Sequence, residues 1–218
     1  AGMADHVILL GAGEEKSIAA TKTYTASLAS LALLAVEWCG ADEHHAEMSA
    51  VPGKVAAVLR SDAQAEAVAR TLIYLDDCAV IGRGLNYATA FETALKLKEL
   101  AYVRAEPYSS ADFMHGPIAI VQPNYCVIEI APGGAAFQNM LEFAARVKAS
   151  GGRLIAISDR PELLEMAASR LELPDEVPEW LSPLVAIVPG QLLALHLTLA
   201  KGYEADHPRG LTKVTRTL

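Results

Sequence analysis

Between Phe91 and Glu106 the sequence reads FETALKLKELAYVRAE, which sets Glu92, Lys96 and Glu99 at spacings of four and three. On a helix those positions share one face, so an ammonium would lie between two carboxylates. A carboxyl withdrawn from water has a raised pKa and can shuttle protons near neutral pH. A solvated stripe of ion pairs has the same spacing, so the pattern alone leaves both readings open.

A second chemical candidate is the polar stretch Tyr108–Pro117, YSSADFMHGP. It follows the helix and carries His115 between Met114 and Gly116, where an imidazole that titrates near neutrality has no core role to fill. His196 differs: it stands in the apolar run LLALHL and reads as structural. His44 and His45 read as exposed linker residues. No grouping of His, Cys, Asp and Glu has metal-ligand spacing, and no cofactor motif is complete. Gly82-Arg83-Gly84 is too short for a nucleotide fingerprint and serves equally as a tight turn.

These groups need a scaffold. Short apolar runs at His6–Leu10, Cys78–Ile81, Cys126–Ile130, Arg153–Ser158 and Leu171–Leu173 read as strands. Helical patterns alternate with them over Ser17–Cys39 (stopped by Gly40), Met48–Leu59, Ala63–Tyr74, Tyr87–Val103, Phe137–Ala149, Pro161–Ser169 and Val185–Ala200. Apolar strands alternating with helices predict an α/β fold, a three-layer αβα sandwich around a parallel doubly wound sheet. The helix carrying Glu92 would then begin at the carboxyl edge of the sheet, where open α/β sheets bind ligands.

The formal charge of −8 argues against nucleic acid or an anionic membrane as partner. No unbroken apolar run reaches about 18 residues, and no secretory signal is visible. Cys39, Cys78 and Cys126 are widely spaced and odd in number, which fits a reducing, cytoplasmic setting. The apolar stretches Ala26–Val36 and Pro189–Leu199 exceed what one small domain needs, which predicts a homodimer.

The block GRGLNYATAFETALKLKELAYVRAEPYSSADFMHGPIAIV, with AGEEKSIAATKTYTASL before it and DHPRGLTKV after it, resembles the SIS (sugar isomerase) domain family. The likeness is to the isomerase half of glucosamine-6-phosphate synthases and to stand-alone two-SIS amino-sugar-phosphate isomerases and deaminases. It implies a flavodoxin-like sheet and a hexose or hexosamine 6-phosphate substrate. It further implies that Glu99 moves a proton between C1 and C2, beside Lys96. His115 would assist ring opening in a neighbouring subunit's site, and Lys213 in the tail would form a Schiff base with the ketose carbonyl. Ile18, Ala20, Thr21, Glu92 and Thr212 fall at positions that the resemblance places around the sugar.

The family's phosphate loop, Ser-x-Ser-Gly-x-Thr, does not occur in the sequence. Residues 1–45 are therefore expected to be the C-terminal part of a first SIS domain, 46–200 a second, and 201–218 a catalytic tail. Neither a glutaminase domain nor its N-terminal cysteine is present, and Ala20 stands where the synthases have serine. The leading expectation is thus an amino-sugar-phosphate isomerase or deaminase, converting glucosamine 6-phosphate to fructose 6-phosphate and ammonia. The alternatives are the isomerase part of a glutamine–fructose-6-phosphate aminotransferase, and a sugar-phosphate sensor without catalysis.

Overall fold

The computed structural model describes residues 4–40 and 42–212. Five strands form one parallel sheet: β1 (Asp77–Gly82), β2 (Arg104–Ser109), β3 (Cys126–Ile130), β4 (Arg153–Ser158) and β5 (Ser169–Glu172). Their order in space is β2-β1-β3-β4-β5, the flavodoxin-like order with its switch point between β1 and β3.

Side chains alternate across the sheet and divide the core in two. Cys78, Val80, Ile128, Ile130, Ile155 and Ile157 face one layer, built from α3 (Asp62–Arg70), α4 (Asn86–Ala101) and α8 (Ser182–Ala200). Ala79, Ile81, Val127, Leu154 and Ala156 face the other, built from α5 (Ser110–Met114), α6 (Phe137–Ala149) and α7 (Pro161–Leu164). Both sheet faces are covered, which is why the central strands read as continuous apolar runs. The α/β sandwich is as expected.

The helix α8 is apolar all round because it runs through the core, packed on α3 and α4. With the short turn before it, it is long and apolar enough to cross a membrane by composition, yet most of it is buried inside the protein. Its surplus of apolar surface is therefore consumed within this domain and lends nothing to an argument for a dimer. α1 (Lys22–Cys39) is different. It buries only Val36 and leaves Leu31, Leu33, Leu34 and Trp38 exposed.

Several elements depart from the sequence reading. His6–Leu10 joins no strand of the sheet, and Val7–Leu10 are exposed. β2 replaces part of the expected polar loop: as an edge strand it shows Arg104 and Glu106 to solvent and tolerates Pro107. The rest of that loop forms α5 and a 3-10 turn, Pro117–Ile120. α1 begins five residues later than expected. α2 (Asp42–Arg60) starts earlier and takes in both linker histidines; His44 Nδ1 lies 2.8 Å from Glu47, whose carboxylate also accepts from Trp180 Nε1 at 2.7 Å.

Candidate active site

α4 is rich in alanine, leucine, lysine and glutamate, all good helix formers. One stripe of it, Thr89, Thr93, Lys96, Leu97 and Leu100, is buried. Thr93 meets α8 at Gly190, where an added Cβ would come within 2.4 Å of the Thr93 hydroxyl. That close approach draws α4 and α8 together, and Lys96 lies one turn beyond it, in the same stripe.

Lys96 is only 3% exposed. Its Nζ lies 2.6 Å from Glu99 Oε2 and 3.5 Å from Glu92 Oε1. A buried lysine without partners would be strongly disfavoured, so the two carboxylates are what keep it there. Burial pushes the Glu92 carboxyl above its usual range. Lys96 opposes that shift by charge and hydrogen bond, and Glu99 adds to it by repulsion. The Tyr24 hydroxyl is pushed up to about 12, first by burial and then by Glu92.

Beside Lys96 lies a cavity of about 290 Å³, lined by Ser17, Ala19, Thr21, Lys96, Leu100, Gln191 and the tail residues Ala205 and Asp206, among others. Five separate parts of the chain meet here: the segment before α1, α2 through Leu59, α4, α8 and the tail. The tail is fastened to the 17–18 segment by the Ile18 amide, which donates to Asp206 O at 3.4 Å, and by the Ser17 hydroxyl, which donates to Ala205 O at 3.5 Å. Glu15, buried, accepts from the Thr21 hydroxyl and from the amide and hydroxyl of Thr23, and so fixes the entry into α1. An ammonium that steadies a growing oxyanion beside a carboxylate that moves a proton is the pairing that enolisation at a carbonyl needs.

The structure brings Glu92, Lys96 and Glu99 together, and Thr21 lines the same cavity as Lys96. Ile18 and Ala20 alternate with the lining residues Ser17, Ala19 and Thr21 and are not in the cavity wall. His115 is exposed at the end of α5, on the opposite side of the sheet from α4. Thr212 is exposed, and Lys213 lies outside the described residues. Gln191, Ser17 and Asp206 were not singled out from sequence; of these only Gln191 left a signal, as a polar residue inside the apolar run of α8.

The site is also not where the sheet's carboxyl edge would place it. Lys96 lies ten residues along α4, about 15 Å from its first turn, toward the amino ends of the strands. At the carboxyl edge Gly82-Arg83-Gly84 makes the turn. A Cβ on Gly82 would fall 2.2 Å from Asn86 O, and Arg83 Nη1 donates to the Ser110 hydroxyl at 3.3 Å. Among the described residues no group of three or more His, Cys, Asp or Glu could hold a metal ion.

A parallel sheet in this order, covered by helices on both faces, defines a flavodoxin-like αβα domain, and the helix after β1 carries its buried Lys–Glu cluster. The SIS domain model matches residues 76–201, and the chain belongs to that family. It is 41% identical over 216 residues to the glutamine–fructose-6-phosphate aminotransferase (isomerizing) of Pyrococcus horikoshii, covering 97% of this chain and 36% of that protein. The chain thus spans about a third of the length of such relatives. The C-terminal domain of glucosamine-fructose-6-phosphate aminotransferase from Francisella tularensis superposes with a TM-score of 0.82 at 29% identity, covering 89% of this chain and 58% of that one. A glucosamine-6-phosphate deaminase from Thermotoga maritima shares the fold (TM-score 0.66, 21% identity, 92% of this chain and 58% of that one).

Proposed function

We propose that this chain carries aldose–ketose isomerase chemistry on a hexose 6-phosphate, as the sugar-isomerising part of a glutamine–fructose-6-phosphate aminotransferase. The observation that carries the reading is Lys96, buried between Glu92 and Glu99 on the wall of a cavity whose other wall is the C-terminal tail. The extent of likeness to aminotransferases supports this reading over the deaminase, to which the likeness is one of fold alone.

Glu99, a quarter exposed and 2.6 Å from the cavity-lining Lys96, is the group that moves the proton between C1 and C2. Lys96 holds its carboxylate in place and steadies the charge that grows on the substrate oxygen. Lys213 would add its amine to the C2 carbonyl, with the carbonyl oxygen leaving as water. His115, remote from Lys96 within one chain, would act at the site of a second copy. Residues 1–45 would belong to an adjoining domain, in keeping with the exposure of α1 and of Val7–Leu10.

The test uses the full-length protein with fructose 6-phosphate and glutamine. Formation of glucosamine 6-phosphate is expected, and Glu99→Gln should lower it roughly 10²–10⁴-fold while sugar binding persists. Turnover near wild type in Glu99→Gln overturns the role of the base. Ammonia release from glucosamine 6-phosphate without glutamine-dependent synthesis would favour the deaminase, and binding without turnover a sensor.

A further inference from the structure

The end of α4 is tied to the tail by a cluster that the chemistry above does not use. Tyr102 closes the helix in the left-handed conformation, at φ 55°, with its amide donating to Leu97 O. For a bulky residue that backbone conformation is unfavourable and needs surrounding contacts to hold it. The contacts come from the tail. The Arg209 amide donates to the Tyr102 hydroxyl at 2.7 Å, and the Arg209 guanidinium lies 3.9 Å from the centre of the Tyr102 ring. Tyr203 meets Tyr102 edge-on at 4.9 Å and lies 5.5 Å from the same guanidinium. An arginine stacked on an aromatic face is favourable, and lysine does not substitute for its planar group.

Tyr102 is three residues beyond Glu99, and Arg209 is four before Lys213. Between the two aromatic-clasp residues of the tail, Tyr203 and Arg209, lie Ala205 and Asp206, which form a wall of the cavity. We propose that Tyr102 is a positioning residue: with Tyr203 and Arg209 it clasps the tail to the end of α4 and holds Ala205 and Asp206 as a wall of the cavity beside Lys96, in the segment that precedes Lys213 in the sequence. This rests on the reading of Lys213 as the imine-forming lysine.

In the full-length protein, Tyr102→Ala is expected to lower kcat on the order of 10²-fold, the usual consequence of displacing a reacting group by about an ångström. KM for fructose 6-phosphate should change by less than about three-fold, since the clasp does not touch the sugar. Tyr102→Phe keeps the ring under Arg209, loses only the hydroxyl acceptor, and should recover most of the rate. Trapping reads the covalent step directly: Lys213 loses water with the ketose to give an imine, borohydride adds hydride to its carbon, and the nitrogen takes a proton to leave a stable secondary amine. Tyr102→Ala should trap sugar at least ten-fold more slowly than wild type. Trapping at the wild-type rate overturns the proposal.

Amide hydrogen exchange separates the clasp from the chemistry. Amides between Tyr203 and Leu211 should exchange at least ten-fold faster in Tyr102→Ala, with α4 around Lys96 unchanged. If exchange in the tail is unaltered, the clasp does not exist, whatever the sugar chemistry. If wild type traps no sugar yet the tail loosens as expected, the imine reading falls and the clasp as a holder of the tail stands.

Discussion

Lys96 and Glu129 are both ionisable side chains withdrawn from water, in layers on opposite sides of the same sheet, and they are provided for differently. Lys96 has two carboxylates within 3.5 Å and a cavity beside it. Glu129 projects from β3 toward the α5 and α6 layer, next to Ile81 and Ala156 in register. Among the described residues neither of its carboxyl oxygens has a hydrogen-bond partner. Burial alone pushes its pKa well above the usual carboxylate range, which favours the uncharged acid over the carboxylate. One layer keeps an ion buried by pairing it beside a cavity. The other holds a carboxyl without a partner, where burial favours the uncharged form.

The strongest way to break this comparison is to remove the partner that makes the first case work. Lys96→Met leaves Glu92 and Glu99 facing each other without a cation. Uncompensated buried charge typically costs about 3–5 kcal/mol, and because Glu99 is a quarter exposed the lower end applies. Turnover should be lost, and the unfolding transition should move further at pH 8 than in acid, where Glu92, whose pKa burial raises, takes up a proton more readily. Adding Glu99→Gln to Lys96→Met should restore part of the stability, a coupling that a double-mutant cycle measures. Equal stability of Lys96→Met at both pH values would show that the cluster is not held by charge.

The converse applies to Glu129. Its folded-state pKa is raised above the unfolded value of about 4.3, so the folded state binds more protons than the unfolded one across the interval between the two. The contribution of Glu129 to stability is therefore greatest in acid and declines as pH rises from the ordinary carboxylate range toward the folded pKa. Glu129→Leu should remove this slope and raise stability by about 1–3 kcal/mol at pH 8, the range for an unsatisfied buried polar group. Unfolding followed against pH in both proteins checks it. A variant that is destabilised at every pH would mean that Glu129 has a partner in the working protein.

The two layers were not equally legible in the sequence. β1, β3 and β4 stand out because each is an apolar run bounded by glycine, proline or a polar turn, as buried parallel strands must be. β2 was invisible for the opposite reason: at the edge of the sheet, Arg104 and Glu106 face solvent and only Ala105 is fully buried. The Lys96 cluster was legible because its geometry is local, set by one helix. The cavity was not, because Ser17, Gln191 and Asp206 reach it from segments far apart in the chain, and spacing along a sequence carries no trace of that. Glu129 looked like one polar residue in a strand, and only the closed layer above it reveals the missing partner.

Gln191 offers the finest test of where the reactive cluster ends. It stands on α8, its amide donating to Thr21 O at 3.5 Å, and it lines the cavity with Lys96. Its contact to Thr21 is long and leaves the amide free to be shared with a sugar hydroxyl. Gln191→Leu keeps the apolar bulk and removes one neutral hydrogen-bonding group, worth about 0.5–1.5 kcal/mol. KM for fructose 6-phosphate should rise by roughly 2–10-fold with kcat nearly unchanged, the pattern of a group that binds ground state and transition state alike. If kcat and kcat/KM instead fall together, Gln191 acts only in the transition state, and the reactive cluster extends from α4 across the cavity to α8.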